Sequence, residues 1–158
     1  MPGELHADLR VRMLEACPDA IVYADREGKI LFWNRSATRI FGFSEDEALG
    51  QTLDLIVPEA QRRRHWEGYN RVMAGAASRY GEGEILAVPA MRKDGRRVSI
   101  EFTILPVHDG AGAMVGIAAF LRDVTARFEE LRALRRELAA LKPQSRGTAT
   151  LAGAISLI

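Results

Sequence analysis

The sequence predicts an α+β fold, in which one five-stranded antiparallel sheet carries short helices on one face and a further helix lies at each terminus. Three observations predict it. Two strand-like runs, at residues 20–24 and 30–33, are joined by a turn sequence. A stretch with helical spacing follows. Three more strand-like runs then alternate with turns that contain glycine, and such short connections favour antiparallel neighbours.

The N-terminal part is predicted to be a short amphipathic helix over residues 3–16. Leu5, Leu9 and Met13 recur at four-residue spacing, which is the period of one helix face. Pro18 disfavours the α conformation at the residue before it and so ends the helix. The two following runs are rich in β-branched and aromatic residues, and Gly28 lies in the turn that makes them a hairpin.

The middle of the chain contains three sequence signals for the start of a helix. Asn34 is a good N-cap for a short helix. Ser44 with Glu47 three residues later forms a capping-box sequence that starts another. Pro58 marks the beginning of the longest central helix, predicted over residues 58–74, since proline is favoured at a helix start.

The C-terminal half is predicted to contain strands at residues 84–91, 97–107 and 114–121. The middle one alternates cleanly, so one face is apolar and predicted to be core. That face comprises Val98, Ile100, Phe102 and Ile104. The last helix, over residues 124–141, carries a stripe at heptad spacing that is typical of a coiled coil. Its members are Val124, Leu131, Leu134, Leu138 and Leu141.

Composition excludes several classes of function. The 22 Lys and Arg against 21 Asp and Glu give a net charge of +1, which provides no general attraction for nucleic acid or an anionic membrane. One cysteine cannot form an internal disulfide. The absence of a signal-peptide pattern and of an apolar run of about 18 residues makes the cytoplasm the expected location. We find no phosphate-binding loop and no nucleophile–base pair, so we do not expect an enzyme.

An ordered series of short motifs resembles the PAS domain, a bacterial sensory module of signalling kinases and regulators. The resemblance covers about residues 14–130. The motifs are CPDAI at 17–21, DREGKI at 25–30, WNRSA at 33–37, FGFSEDEALG at 41–50, RKDG at 92–95 and LRDVT at 121–125. The family implies a sheet whose inner face can enclose a ligand and terminal helices that carry the signal. The expected organisation is an N-terminal helix at 1–16, the sensory domain at 17–123, a signalling helix at 124–142 and a flexible tail at 143–158.

A second group of motifs looks like the haem-binding PAS domains of the nitrogen-fixation oxygen-sensor kinases. They are IVPE at 56–59, RH at 64–65, YNR at 69–71 and RYG at 79–81. In that subfamily a histidine at the position of His65 holds the haem iron. The subfamily spaces this histidine one residue closer to the tyrosine than His65 and Tyr69 are spaced here. The position of its oxygen-contacting arginine is Leu86 here, which implies an apolar distal pocket that favours carbon monoxide or nitric oxide, unless Trp66 or Arg71 supplies a donor.

The candidate cofactor is therefore b-type haem, with His65 as the candidate iron ligand. FAD is the alternative cofactor, and a third reading is a cofactor-free interaction module whose pocket is filled by its own side chains. Surface exposure of His65, and simple packing of the aromatic and apolar residues, remain open alternatives. The candidate cofactor-binding residues are His65, Trp66, Tyr69, Leu86, Phe102, Ile104 and Ile117.

The terminal helices indicate a homodimer, because an isolated apolar stripe on a helix is poorly stable in water without a partner surface. The expected contacts are Leu5, Leu9 and Met13 of the first helix and Val124, Leu131, Leu134, Leu138 and Leu141 of the last. A histidine kinase or a transcriptional regulator acting in trans is the expected output partner.

Overall fold

The computed structural model describes residues 2–75 and 86–141 of the 158, and the side chains of residues 6–75 and 87–141. The first part of the predicted strand 84–91 and the predicted tail 143–158 lie outside the described residues. The elements are α1 (Pro2–Ala16), β1 (Ala20–Asp25), β2 (Ile30–Trp33), α2 (Arg35–Phe41), α3 (Glu45–Ala48), a 3₁₀ turn (Leu53–Leu55), α4 (Glu59–Met73), β3 (Leu86–Met91), β4 (Arg97–His108), β5 (Met114–Asp123) and α5 (Thr125–Leu141).

The five strands form one antiparallel sheet in the order β2-β1-β5-β4-β3, which confirms the predicted fold class. The first strand therefore pairs with the last, and Val22 lies opposite Ala119. On the other side of β5, Ile104 of β4 lies opposite the same Ala119. Residues on three adjacent strands thus share one face, because side chains directly opposite in an antiparallel pair point the same way.

This inner face builds the main core with α2, α3 and the 3₁₀ turn. The predicted core positions Val98 and Ile100 are buried, while Phe102 and Ile104 are half-buried. Strands β1 and β2 contribute three of the largest buried side chains, and α2 contributes the fourth. The largest fully buried apolar side chains are Trp33, Phe41, Ile30 and Val22.

Asn34 is the fully buried polar centre of the fold, with no exposed surface. As predicted, its side chain caps α2, because Oδ1 accepts from the N–H of Ala37 at 3.0 Å. The same oxygen accepts from Ile21 N–H at 3.0 Å. Its amide nitrogen donates to the carbonyls of Leu14 at 3.0 Å and Asp19 at 3.1 Å. One side chain therefore ties α1, β1 and α2 together.

The predicted capping box at α3 is present. The Ser44 hydroxyl accepts from the Glu47 N–H, and the Glu47 carboxylate accepts from the Ser44 N–H. Glu47 also pairs with the ammonium of Lys93, which lies in the turn between β3 and β4. That hydrogen bond is the main reason that the pKa of Glu47 is lowered. The cap therefore also joins α3 to the far side of the sheet.

An ion pair joins the start of β1 to the end of β5. The guanidinium of Arg122 donates from Nε and Nη2 to the two carboxylate oxygens of Asp19, at 2.8 and 2.7 Å. This forked geometry is the strong form of an arginine–carboxylate pair. The hydrogen bond from Arg122 is the main cause that lowers the pKa of Asp19 below its ordinary value, and burial partly opposes it.

We expect Arg122→Gln to reduce stability in a pH-dependent way. The depressed pKa of Asp19 means that the pair stabilises the fold above the unfolded-state pKa of about 4 and that this stability is lost as pH falls through the lower folded-state value. The difference in unfolding free energy between wild type and variant should therefore shrink in acid. Urea unfolding at pH 7 and at successively lower pH measures it. Arg97→Gln, at an exposed position on β4, is the control, and an equal pH trend there would contradict the assignment.

The chain separates into two compact units, one ending at Thr125 and the other beginning at Ala126. The predicted boundary between residues 123 and 124 lies two residues before this point. Among the described helices, none is long and apolar enough to cross a membrane.

Candidate functional site

The candidate site is built on α4, whose inner side meets the β1–β2 hairpin and β5. The helix is regular from Glu59 to Met73, and Pro58 lies one position before its first residue. Arg62 fastens its first turn, since its guanidinium donates to the carbonyl oxygens of Val57 at 3.3 Å and Asp54 at 3.1 Å. The chain before α4 is thereby held to the helix, which fixes where the next turns lie.

Tyr69 anchors α4 to the sheet. Only 6% of its surface is exposed, and its hydroxyl hydrogen-bonds the carbonyl oxygens of Ala24, at 3.2 Å, and Asp25. Burial is the main cause that raises the pKa of Tyr69, and the nearby Asp25 carboxylate adds to it. The phenol is therefore neutral and remains a donor throughout the physiological range.

Trp66 lies one turn earlier and packs on the hairpin turn. Its indole N–H donates to the Asp54 carboxylate at 2.8 Å. Its ring covers Gly28 so closely that a Cβ added there would lie 2.2 Å from the ring. Gly28 also has a φ of 76°, which side chains rarely adopt. The turn glycine predicted for the hairpin thus has a second role, because it makes room for α4.

His65 stands beside these two aromatic rings. Its ring centroid lies 5.0 Å from that of Trp66 and 6.0 Å from that of Tyr69. The side chain is half-buried, and its buried Nδ1 has no hydrogen-bond partner among the described residues. Burial lowers the pKa of His65, and the charge of Asp54 only partly opposes this. The imidazole is therefore neutral near pH 7 and has a lone pair available, which does not match an ordinary surface histidine.

The sheet brings only some of the predicted lining residues to this helix. Ile104 and Ile117 pack in one apolar cluster with Tyr69 and Trp66. Phe102 instead packs against the main core. The backbone of Leu86 lies opposite Phe102 in the β3–β4 register; its side chain is outside the described residues.

Sequence reasoning missed several residues of this site, all of them supplied by other elements. Asp54, in the 3₁₀ turn, fixes the indole of Trp66. Leu53, Ala24 and Met114 also pack in the apolar cluster. None of them stands in a pattern that indicates a site, although the carbonyl acceptors at the end of β1 follow from the hairpin that the sequence does predict.

The structure does not support the expected polar donors. The N–H of Trp66 is already bonded to Asp54. Arg71 is exposed, and with Arg63, Arg64 and Glu67 it lines a surface recess of about 610 Å³ along the outer side of α4. Neither residue offers a free donor beside His65, because the Trp66 N–H is already hydrogen-bonded and Arg71 is exposed to water.

A family model, curated relatives and a solved structure all agree with the resemblance to PAS domains. The family model described as PAS fold matches residues 14–129. Sensor protein FixL from Bradyrhizobium diazoefficiens is 33% identical over 132 residues, which cover 76% of this chain and 24% of that protein. Oxygen sensor protein DosP from Escherichia coli is 23% identical over 120 residues, covering 76% of this chain and 15% of that protein. The chain thus spans a quarter or less of the length of these curated relatives.

A solved structure agrees with the fold. The PAS domain of Bordetella pertussis BvgS superposes with a TM-score of 0.60 at 26% identity, over 87% of this chain and 99% of that one. The matched region contains the whole five-stranded sheet and the helix that carries His65. The chain belongs to the PAS-fold family of sensory domains found in signal-transduction proteins.

Proposed function

We propose that this PAS domain binds b-type haem through His65 and uses it to sense a diatomic gas or a redox change. The observation that carries the proposal is the buried Nδ1 of His65, which has no partner among the described residues. A buried polar atom without a partner is costly, and such atoms call for a physical reason. Coordination of a metal by one imidazole nitrogen would explain why a histidine is placed here.

The residues present suit this cofactor in charge and polarity. Haem iron is commonly held by one neutral imidazole from a helix, and burial keeps His65 neutral. The half-buried Ile104 and the buried Ile117 provide the apolar surface that a porphyrin needs. Bound haem would supply an iron centre able to take a gas ligand or change oxidation state. The protein's own part is to hold the iron and to keep the surrounding surface apolar, which favours carbon monoxide or nitric oxide.

The similar proteins support a sensory role of this kind. One relative is named an oxygen sensor protein and another a sensor protein, and the motifs around His65 resemble the haem-binding subfamily. We propose the same gas-sensing role for this chain. We also propose that a histidine kinase or a transcriptional regulator is the partner that receives the signal.

A haem titration tests the proposal. Purified wild type should give a sharp Soret band that saturates at one haem per chain, and His65→Ala should weaken binding roughly tenfold or more because the iron loses its ligand. His108→Ala is the matched control, since His108 is an exposed histidine at the end of β4, and it should titrate like wild type. A band that His65→Ala leaves unchanged would rule out His65 as the ligand.

A cofactor-free interaction module is the second candidate, and one observation favours it. Trp66 and Tyr69 pack directly into a cluster with Ile104 and Ile117, so the chain's own side chains fill part of the space between α4 and the sheet. If the domain is a cofactor-free module, the wild-type protein should show no defined Soret band in the haem titration. A yellow protein with flavin absorption would instead indicate FAD.

We also propose that the domain acts as a homodimer through its terminal helices. Leu9 of α1 is 50% exposed and Met13 is 65% exposed; the side chain of Leu5, predicted beside them, lies outside the described ones. The four predicted leucines of α5 are exposed as well: Leu131, Leu134, Leu138 and Leu141. Val124, predicted as part of the same stripe, is half-buried just before α5, with its N–H bonded to the carbonyl of Ser99 at 2.9 Å.

A further inference from the structure

The imidazole of His65 rests against two aromatic rings. It meets the indole of Trp66 edge to face, at an interplanar angle of 74°, and the ring of Tyr69 at 40°. A histidine that ligates a metal ordinarily has its ring plane fixed by a hydrogen bond to its second nitrogen. The buried Nδ1 of His65 has no hydrogen-bond partner among the described residues. Packing against the two rings therefore orients this imidazole.

The indole of Trp66 is held at both of its ends. Its N–H donates to the carboxylate of Asp54 at 2.8 Å, and a hydrogen bond to an ionised acceptor is stronger than one between neutral groups. The six-membered ring at the other end lies over Gly28. The bond to Asp54 therefore fixes how the indole is turned, and with it the surface that the indole presents to His65.

Asp54 is itself firmly placed between the hairpin and α4. The N–H of Leu53, its neighbour in the 3₁₀ turn, donates to the carbonyl of Gly28 at 3.1 Å. From the other side, the guanidinium of Arg62 donates to the carbonyl of Asp54 at 3.1 Å. The Asp54 carboxylate also acts on His65 through space, because its charge raises the pKa of the imidazole against the larger effect of burial.

We propose that Asp54 is a positioning residue of the haem site, whose hydrogen bond to Trp66 fixes the plane in which His65 presents its imidazole to the iron. This inference rests on the haem-binding function proposed above and adds a residue that acts through another side chain. Without the bond the indole can turn, and the imidazole loses one of the two surfaces that orient it. Coordination should then weaken although the ligand itself is still present.

The first test uses the full chain before haem is added. A proton–nitrogen NMR spectrum should contain two indole N–H resonances, from Trp33 and Trp66. Asp54→Ala should shift the Trp66 resonance and speed its exchange with water, and Trp66→Phe assigns that resonance by deleting it. The Trp33 resonance is the internal control and should stay in place, because this N–H donates to Thr38 and Phe43.

The second test is a haem titration of matched variants. Asp54→Ala should raise the haem dissociation constant by roughly tenfold, a loss typical of residues that orient a metal ligand. Asp54→Asn should stay close to wild type, because its amide oxygen still accepts from the indole. Adding Trp66→Phe to Asp54→Ala should cause little further loss, since both changes remove the same bond. Ser36→Ala, which removes a buried hydrogen bond on α2, should lower stability but bind haem like wild type.

Two kinds of failure can be told apart. A wild type that forms no Soret band removes the haem proposal, and the role of Asp54 falls with it. If the wild type binds haem and Asp54→Ala binds it equally tightly, or leaves the Trp66 resonance in place, the role of Asp54 is overturned while the haem proposal stands. Binding by Asp54→Asn or Ser36→Ala as weak as that of Asp54→Ala would also overturn it, because lost charge or lost stability would then be the cause.

Discussion

Replacing Asn34 with alanine should lower the free energy of unfolding by about 4 kcal/mol, the loss expected when several buried backbone groups lose their partners. The N–H groups of Ile21 and Ala37 and the carbonyl of Asp19 bond to this one amide, and so does the carbonyl of Leu14, which also accepts from the Cys17 N–H at 3.4 Å. The N–H groups of Ile21 and Ala37 are buried together with Asn34, so water does not replace their two bonds. Urea unfolding followed by circular dichroism measures the change.

Ser36→Ala is the matched control for this prediction. Ser36 is buried one turn away, and its hydroxyl makes a single bond to the carbonyl of Cys17 at 2.6 Å. Its loss should cost about 1 kcal/mol. Asn34→Asp separates the two halves of the network, because it keeps the acceptor for Ile21 and Ala37 but loses both donors. Equal losses for Asn34→Ala and Ser36→Ala would mean that the network does not join the three elements as described.

Gly28→Ala should be the second severe change, with a loss of about 3 kcal/mol or more. Two costs add at this residue. The φ of 76° strains any side chain, and the new Cβ would lie 2.2 Å from the Trp66 ring. Because α4 carries both Trp66 and His65, relief of the clash displaces the candidate site, so haem binding should weaken together with stability.

Gly50→Ala isolates the first of these two costs. Gly50 has a φ of 78°, but nothing lies within 4 Å of a Cβ added there. Its loss should be about 1–2 kcal/mol, from backbone strain alone. Adding Trp66→Ala to Gly28→Ala removes the clash, so the double variant should lose less stability than the sum of its single changes. Strict additivity would show that the ring does not press on the turn.

The parts of the fold that the sequence predicts well are those set by local chemistry. Asn34 caps α2 and Ser44 with Glu47 caps α3, because a cap is a contact between residues three apart in the chain. The alternation through β4 predicted its core face. Each of these signals lies within a few residues, so no knowledge of the tertiary fold is needed.

The candidate site depends on contacts that no local pattern contains. The Trp66 indole donates to Asp54, which lies twelve residues away in the sequence. The Tyr69 hydroxyl donates to the carbonyl of Ala24, 45 residues away. The heptad stripe was predicted to begin at Val124, yet that residue is bonded to β4 before α5 begins. Resemblance to a family placed His65 among the candidates, but its burial, and an Nδ1 atom with no partner in the described part of the chain, follow only from how α4 lies on the sheet.

The measurement that tests the central claim most directly is imidazole rescue of His65→Gly. The substitution removes the proposed iron ligand and leaves space for free imidazole to replace it. We predict that His65→Gly with added haem lacks the wild-type absorption band and that imidazole restores it, while His108→Gly needs no rescue. A wild-type protein that forms no defined band with haem, or a His65→Gly spectrum equal to wild type without imidazole, would contradict the account.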